Sequence, residues 1–412
     1  MRILVLSDHY PPYYKGGHEI RFKTTADGLS RKGHEVFILA SKYGVSGKKE
    51  NDRILRLLNY LEIGHVGGVR KRYKEIKIAL LGRQNYFITK KAVQYVKPDI
   101  VYAGEISHVS MYPIRAVETY GIPIVHHVGN YYFPQLIEDC ILQKNPIKRF
   151  YRKAISGFKG IDKYDFRHII TVSEAVKKKY VAIGFTERNI RAIHARGVPP
   201  ELIAKKSELS IAPETGPIKL LYVGRIEKVK GIHVAIEAVK HLVDDLGVED
   251  IILDIIGEGD SDYIEYLYAL IKKLEMQSHV GFRKAISHEA ILQEYQKYHI
   301  LLFPSVWEEP FSGVLIEAMS QGLPIVATNT GGTPELIRDE WNGLLVNPDD
   351  PIDMAKAVKR LIENPSLAKR IALNGIDLIS EKYNVEKITD KIESYLMDVV
   401  SKEKDATSPK LA

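Results

Sequence analysis

The chain has 412 residues, 45% hydrophobic and 27% charged, a size and balance that exclude a disordered or fibrous protein and allow two or three domains with buried cores. Cys140 is its one cysteine, which excludes an internal disulfide and a thiolate metal cluster and fits a reducing, cytoplasmic compartment. The net charge of +7 conceals a division: residues 1–200 hold 35 of the 59 Lys and Arg and 17 of the 52 acids, so this half is +18 and the remainder −11.

The opening run, Met1 to Ser7, is too short for a secretory signal, and no stretch approaches the roughly 18 apolar residues that span a bilayer. Ile3–Leu6 reads as a buried strand, followed by a turn holding Pro11, Pro12, Gly16 and Gly17. An amphipathic helix is expected from about Glu19 to Arg31, stopping at Gly33. Val36–Ala40, Ile100–Ala103, Ile122–Val125 and Ile169–Val172 are further β-branched runs of the buried-strand kind. Helical patterns between them favour right-handed crossovers and a parallel sheet.

Residues 53–91 interleave Arg53, Arg56, Arg70, Lys71, Arg72, Lys74, Lys77, Arg83, Lys90 and Lys91 with Leu55, Leu57, Leu58, Tyr60, Ile76, Ile78, Leu80 and Leu81. That pattern reads either as a surface able to lie on anionic lipid or as a packed helix pair with a wet basic face. Residues 197–217 carry Pro199, Pro200, Pro213 and Pro217 and read as a linker where the charge reverses. A new cycle begins at Lys219–Val223 and continues through Ile251–Ile256, Ile300–Phe303 and Pro324–Ala327. The architecture expected is α/β, two Rossmann-like domains (1–196 and 218–381) facing across a cleft, with ligand at the carboxyl ends of the strands. Residues 382–400 are expected to form a helix packing back on the first domain, and 401–412 a polar, disordered tail.

The strongest chemical signal runs from Trp307 to Met319, where Glu309 and Glu317 flank a helix start. Ser312 suits an N-cap, and Gly313 admits close approach to the backbone. The amides of Gly313, Val314 and Leu315 would then face an anion, aided by the helix dipole. A carboxylate on either side of a diphosphate suits a ligand with hydroxyls at both ends, although the spacing alone also fits a capped surface helix. The second signal follows the strand ending at Gly224, where Arg225 and Lys230 sit in the loop before a helix. Arg can grip phosphate bidentately and Lys as a point charge, and both stabilise charge growing on a departing diphosphate. Neither a Walker motif nor GxGxxG spacing is present, which disfavours ATP hydrolysis and nicotinamide binding. Gly257-Glu258-Gly259-Asp260 leaves room for a flat base, and Thr330 to Glu335 makes a late glycine turn; each alone reads equally as a plain turn.

Together these motifs resemble family 4 of the retaining glycosyltransferases, of GT-B fold, over most of the chain. Asp8-His9-Tyr10-Pro11-Pro12 with Gly16-Gly17, then Gly33-His34-Glu35-Val36, is similar to the family's opening strand, glycine loop and first helix. Glu309 to Glu317 is similar to its paired-glutamate motif, Arg225 and Lys230 to its phosphate-binding pair, and Gly331 to Glu335 to its late glycine turn. The resemblance implies that Glu309 holds sugar hydroxyls, Glu317 the ribose, and Arg225 and Lys230 the diphosphate. It places the Gly16-Gly17 loop near donor phosphate and acceptor, and Arg283 near the nucleobase. It implies transfer of a hexose-type sugar to a lipid-linked or saccharide acceptor, with retained anomeric configuration and with no metal or other cofactor. The nucleotide diphosphate sugar is then the co-substrate, and the departing phosphate can take the acceptor's proton.

Three positions depart from the family pattern. Gly129-Asn130 stands where many relatives have His-Asp, so the imidazole near the sugar is missing unless His127 substitutes; His127 also reads as a structural strand histidine. Ser312 replaces a common glycine, and Ala195-Arg196-Gly197-Val198 stands where Asn-Gly is usual. A nucleotide-sugar epimerase on the same architecture and a non-catalytic scaffold of this fold are the alternatives. The basic first half carries no recognised nucleic-acid-binding module; an anionic membrane surface, through residues 53–91, is the partner expected if that pattern faces lipid and not a packed helix pair.

Overall fold

The computed structural model describes residues 1–13, 17–45, 51–61, 69–206 and 216–407. The backbone divides into two compact units: Met1–Ala195 with the chain from Ile388 onward, and Arg196–Lys387. The first unit holds β1 (Arg2–Ser7), β2 (Glu35–Ser41), β3 (Ile54–Leu58), β4 (Ile100–Ala103), β5 (Ile124–Val128), β6 (Ile169–Thr171) and β7 (Ile190–Ala192). They form one sheet in the order β3-β2-β1-β4-β5-β6-β7, every pairing parallel. Ile3, Leu4, Val5 and Leu6 of β1 are wholly buried, as an all-apolar strand must be when neighbours and crossovers cover both faces.

Strand order runs outward in both directions from the β1–β4 pair, so the crossovers leave a crevice at the carboxyl ends of those two strands. There the Asp8 amide donates to the Glu105 carbonyl at 2.8 Å, tying the two loops together.

The second unit repeats the plan. Strands β8 (Ile218–Val223), β9 (Ile251–Ile256), β10 (Val280–Arg283), β11 (Ile300–Phe303), β12 (Ile325–Thr328) and β13 (Leu344–Val346) lie parallel in the order β10-β9-β8-β11-β12-β13. Its crevice lies between β8 and β11. One core packs Leu220, Leu253 and Ile255 of the sheet against Ile236 and Val239 of the Ile232–Asp244 helix and Met354 and Val358 of the Pro351–Glu363 helix.

Three boundaries differ from the sequence reading. The connector at 197–217 is not free at its start: Ala204 N donates to Ser320 O at 2.8 Å, and Gln321 Nε2 caps the Leu202 carbonyl at 2.6 Å. Pro200 opens a short helical turn there instead of breaking structure. Residues 207–215 lie outside the described residues. The last helix spans Val385–Thr407, so residues 401–407 are helical and not a disordered tail. Its polar end is held by Lys402–Asp398 at 2.8 Å and by Glu403 with Arg167 at 2.7 Å, partners that composition alone does not reveal. Finally, β5 begins two residues late, at Ile124, and runs on through His126 and His127 to Val128.

Candidate active site

The crevice of the second unit is where Lys230 and Glu309 meet. Beyond β8 the chain passes Gly224 and a short turn, Lys228–Lys230, ending at Gly231 with φ +67°. A Cβ on Gly231 would lie 1.9 Å from the Pro304 carbonyl just past β11, so glycine is what lets the two loops touch. Lys230 Nζ then donates to Glu309 Oε1 at 2.5 Å, and Ser305 Oγ donates to the same oxygen at 2.8 Å. The ammonium also lies 5.8 Å from the Trp307 ring centroid. The late glycine turn supports this loop from behind. Gly332 N donates to Glu309 O at 2.7 Å, and a Cβ on Gly331 would fall 2.2 Å from that carbonyl.

Glu309 leads into the helix Gly313–Ser320. Ser312 takes the N-cap position but its side chain makes no capping bond, so the first-turn amides of Gly313, Val314 and Leu315 are not closed by it. The Arg196 guanidinium stands 3.2 Å from where a Gly313 Cβ would be, so any side chain there would press on it. Arg196 also pairs with Glu317, and Tyr295 OH donates to Glu317 Oε2 at 3.2 Å. Burial, then the Glu317 charge, holds the Tyr295 phenol well above its usual range, which keeps it a donor. Sequence reasoning noticed Arg196 only as a departure. Its role depends on a partner 121 residues away.

The remaining residues expected in this half divide. Gly224, Gly257 and Arg283 line the ends of β8, β9 and β10: a Cβ on Gly257 would lie 1.9 Å from Gly224 O, and Gly257 N donates to Arg283 O at 3.2 Å. The Arg283 guanidinium is bound to Glu294 Oε2 at 2.8 Å and Tyr298 OH at 2.9 Å. Arg225 is exposed, and its guanidinium pairs with Glu227 at 2.5 Å.

In the first unit, Gly17 opens the helix Gly17–Arg31, and Gly16 lies outside the described residues. The crevice there collects acids and imidazoles that sequence reasoning did not single out. His18 Nδ1 is 3.1 Å from Glu19 Oε2 and 3.2 Å from Glu105 Oε2. Asp8 Oδ2 accepts from Ser107 Oγ at 2.9 Å and from His108 N at 2.8 Å. Burial, reinforced by the Asp8 charge, pushes the Glu105 carboxyl up to about 8, while burial pushes His18 down to about 3.

His127 is buried in β5 with Nδ1 partnered by the Tyr102 hydroxyl, and burial holds it well below its usual range. Asn130 Oδ1 accepts from Tyr132 N at 2.9 Å and its carbonyl from Tyr180 OH at 3.1 Å, bonds that build a turn. Beside it, a Cβ on Gly129 would come 2.2 Å from the Arg21 guanidinium, so Arg21 fills the space a side chain at 129 would take. Within 53–91, Arg56 Nη2 donates to Pro11 O at 2.9 Å, and Ile78 packs with Leu61 and Ile155, which pairs the helices Val69–Val96 and Pro146–Ser156. Residues 62–68 lie outside the described residues. Among the described residues no helix is long and apolar enough to cross a membrane.

Two family models match the chain, Glycosyltransferase Family 4 over residues 15–202 and Glycosyl transferases group 1 over residues 205–378. The chain belongs to glycosyltransferase family 4. An uncharacterised glycosyltransferase of Methanocaldococcus jannaschii is 25% identical over 98% of this chain and 100% of its own length. Among solved structures, HepE of Anabaena, in complex with UDP, superposes with TM-score 0.69 at 18% identity, covering 97% of this chain and 100% of that one. Sucrose-phosphate synthase of Thermosynechococcus elongatus gives TM-score 0.72 at 19% identity over 97% and 99%. The two parallel-sheet units of this family 4 glycosyltransferase are those of the GT-B fold.

Proposed function

We propose that this protein is a retaining, metal-independent glycosyltransferase that moves a hexose from a nucleotide diphosphate sugar to a lipid-linked or saccharide acceptor. The observation that carries this reading is the Lys230–Glu309 pair at the crevice of the second unit, beside the amino end of the Gly313–Ser320 helix. A diphosphate held by those amides has the Lys230 ammonium to balance the charge that grows as it departs. Glu309 then accepts from sugar hydroxyls, and Glu317 exchanges its Arg196 and Tyr295 donors for those of ribose. In the step itself the acceptor oxygen bonds to the anomeric carbon on the face the diphosphate leaves. The bond from that carbon to the phosphate oxygen breaks, and the acceptor's proton passes to the departing phosphate. The HepE neighbour was solved with UDP and with UDP-glucose, which supports a nucleotide sugar as donor and makes UDP the first probe.

Donor binding is measured by thermal shift with UDP, GDP, ADP and their sugars, and product configuration by NMR of the anomeric proton. Lys230→Ala is expected to lower turnover by about 10²–10³-fold while the protein stays folded, the loss typical of one removed charge-stabilising donor. Undiminished turnover in folded Lys230→Ala protein overturns the assignment, and an inverted product overturns retention alone.

A further inference from the structure

We propose that the helix Pro146–Ser156, with the segment leading into it, is a docking surface for an anionic lipid bilayer. The inference is independent of the reading of the reaction. It rests on a part of the first unit outside residues 53–91, the segment to which the sequence pattern assigns this role.

The helix is firmly built. Asn145 Oδ1 caps it by accepting from Ile147 N and Lys148 N, each at 3.0 Å, Pro146 takes its first position, and Gly157 ends it with φ +71°. Its carboxyl end is anchored: Ile155 is buried with Ile78, Tyr112 OH donates to Ala154 O at 3.2 Å, and Met111 N donates to Ser156 O at 2.7 Å. Its amino half is the reverse. Every residue from Lys144 to Phe150 is exposed, and Leu142, Ile147 and Phe150 show 67%, 65% and 70% of their surface to solvent. A helix serving only the fold would turn Ile147 and Phe150 inward.

The arrangement is also ordered around the helix axis. At about 100° per residue, Ile147, Phe150 and Ala154 share one side, and Lys148, Arg149, Arg152 and Lys153 fill the other. Between Asp139 and Asp162 the chain has no acid and six cations, Lys144, Lys148, Arg149, Arg152, Lys153 and Lys159. The Arg152–Asp139 pair, at 4.0 Å, is the one acidic contact made there among the described residues. A preformed helix with apolar side chains on one side and uncompensated cations on the other matches a surface of acyl chains beneath anionic headgroups. Nucleic acid would use the cations but gives Leu142, Ile147 and Phe150 no apolar medium.

The neighbouring helix Val69–Val96 shows the contrast. Its Ile78, Asn85, Thr89, Ala92, Val93 and Val96 are buried, so its exposed Leu80 and Phe87 sit on an element already committed to the core.

The test is sedimentation of the full chain with phosphatidylcholine vesicles, with and without phosphatidylglycerol, at low and high salt. Binding is expected to the anionic vesicles alone and to be released by salt. Lys148→Gln/Arg149→Gln should weaken it about 30-fold, from the loss of two surface-attracted cations. Ile147→Ser/Phe150→Ser should weaken it by roughly 30-fold or more, with circular dichroism unchanged because both side chains are exposed. No binding to anionic vesicles at low salt overturns the proposal. So does binding that both variants retain, or that only Leu80→Ser/Phe87→Ser removes. It is equally overturned if the helix variants leave vesicle binding intact and instead abolish dimerisation in analytical ultracentrifugation or retention on RNA.

Discussion

The two crevices share a topology and treat charge in opposite ways. In the second unit opposite charges meet, Lys230 with Glu309 and Arg196 with Glu317, so both signs persist in largely buried positions. In the first unit Asp8, Glu19 and Glu105 crowd together with His9, His18 and His108, and the Arg21 guanidinium acts on Glu105. Two groups there are neutral, beside the Asp8 charge: Glu105 keeps its proton and His18 refuses one. Paired fixed charge suits gripping an anion, whereas a protonated carboxyl beside a neutral imidazole suits hydroxyl groups and proton traffic. The same strand order thus supports two chemistries, decided by which residues follow the strands.

That contrast can be broken in stages. The largest expected effect on stability is at Arg196. Arg196→Ala should cost about 3 kcal/mol in urea unfolding, because it strands the buried Glu317 carboxylate. Glu317→Gln added to it should restore part of that loss, and strict additivity would show that the pair is not coupled.

A smaller effect separates two glycines. Gly331→Ala must adopt φ +52° and press on the Glu309 carbonyl, so a loss of about 1–3 kcal/mol is expected. Gly129→Ala has as its nearest neighbour the end of the Arg21 side chain, which can swing aside, and should cost less; equal losses would erase the distinction.

A further effect is a slope with pH. Glu105 holds its proton in the folded state up to about 8 and releases it near 4.5 when unfolded. Between those values the folded chain binds more protons, so stability falls as pH rises. Melting temperatures from pH 5 to 8 should therefore decline more steeply in wild type than in Glu105→Gln. Parallel curves would mean that the carboxyl is already ionised.

The interior of each sheet was legible because buried parallel strands must be continuous apolar runs, as in Ile3–Leu6 and Ile300–Phe303. The four strands that escaped, β3, β7, β10 and β13, are the two edges of each sheet. An edge strand has one neighbour and tolerates residues such as Arg56, Arg191 and Arg283, which dissolve the pattern. Of the site, Lys230, Glu309 and the Gly331-Gly332 turn were readable because each belongs to a local motif whose parts converge at one crevice. Arg196 and the Glu105 cluster were not, since their meaning lies in partners far along the chain, as Asp8 and Ser107 illustrate. The resemblance sets Arg225 at the diphosphate; in the structure its guanidinium pairs with Glu227.

The last helix carries a practical consequence. From Ile388 it belongs to the first unit, where Thr389 fills the notch over Gly28, Glu393 binds Lys32 and His34, and Tyr395 lies under Arg191. The first unit is therefore assembled from both extremities of the polypeptide, with the second inserted between them. A fragment ending at Ala195 would leave that notch and those basic side chains uncovered. Cutting the gene at the apparent domain boundary is thus the wrong way to obtain this half; fusing the 388–407 segment back through a short loop is the right one.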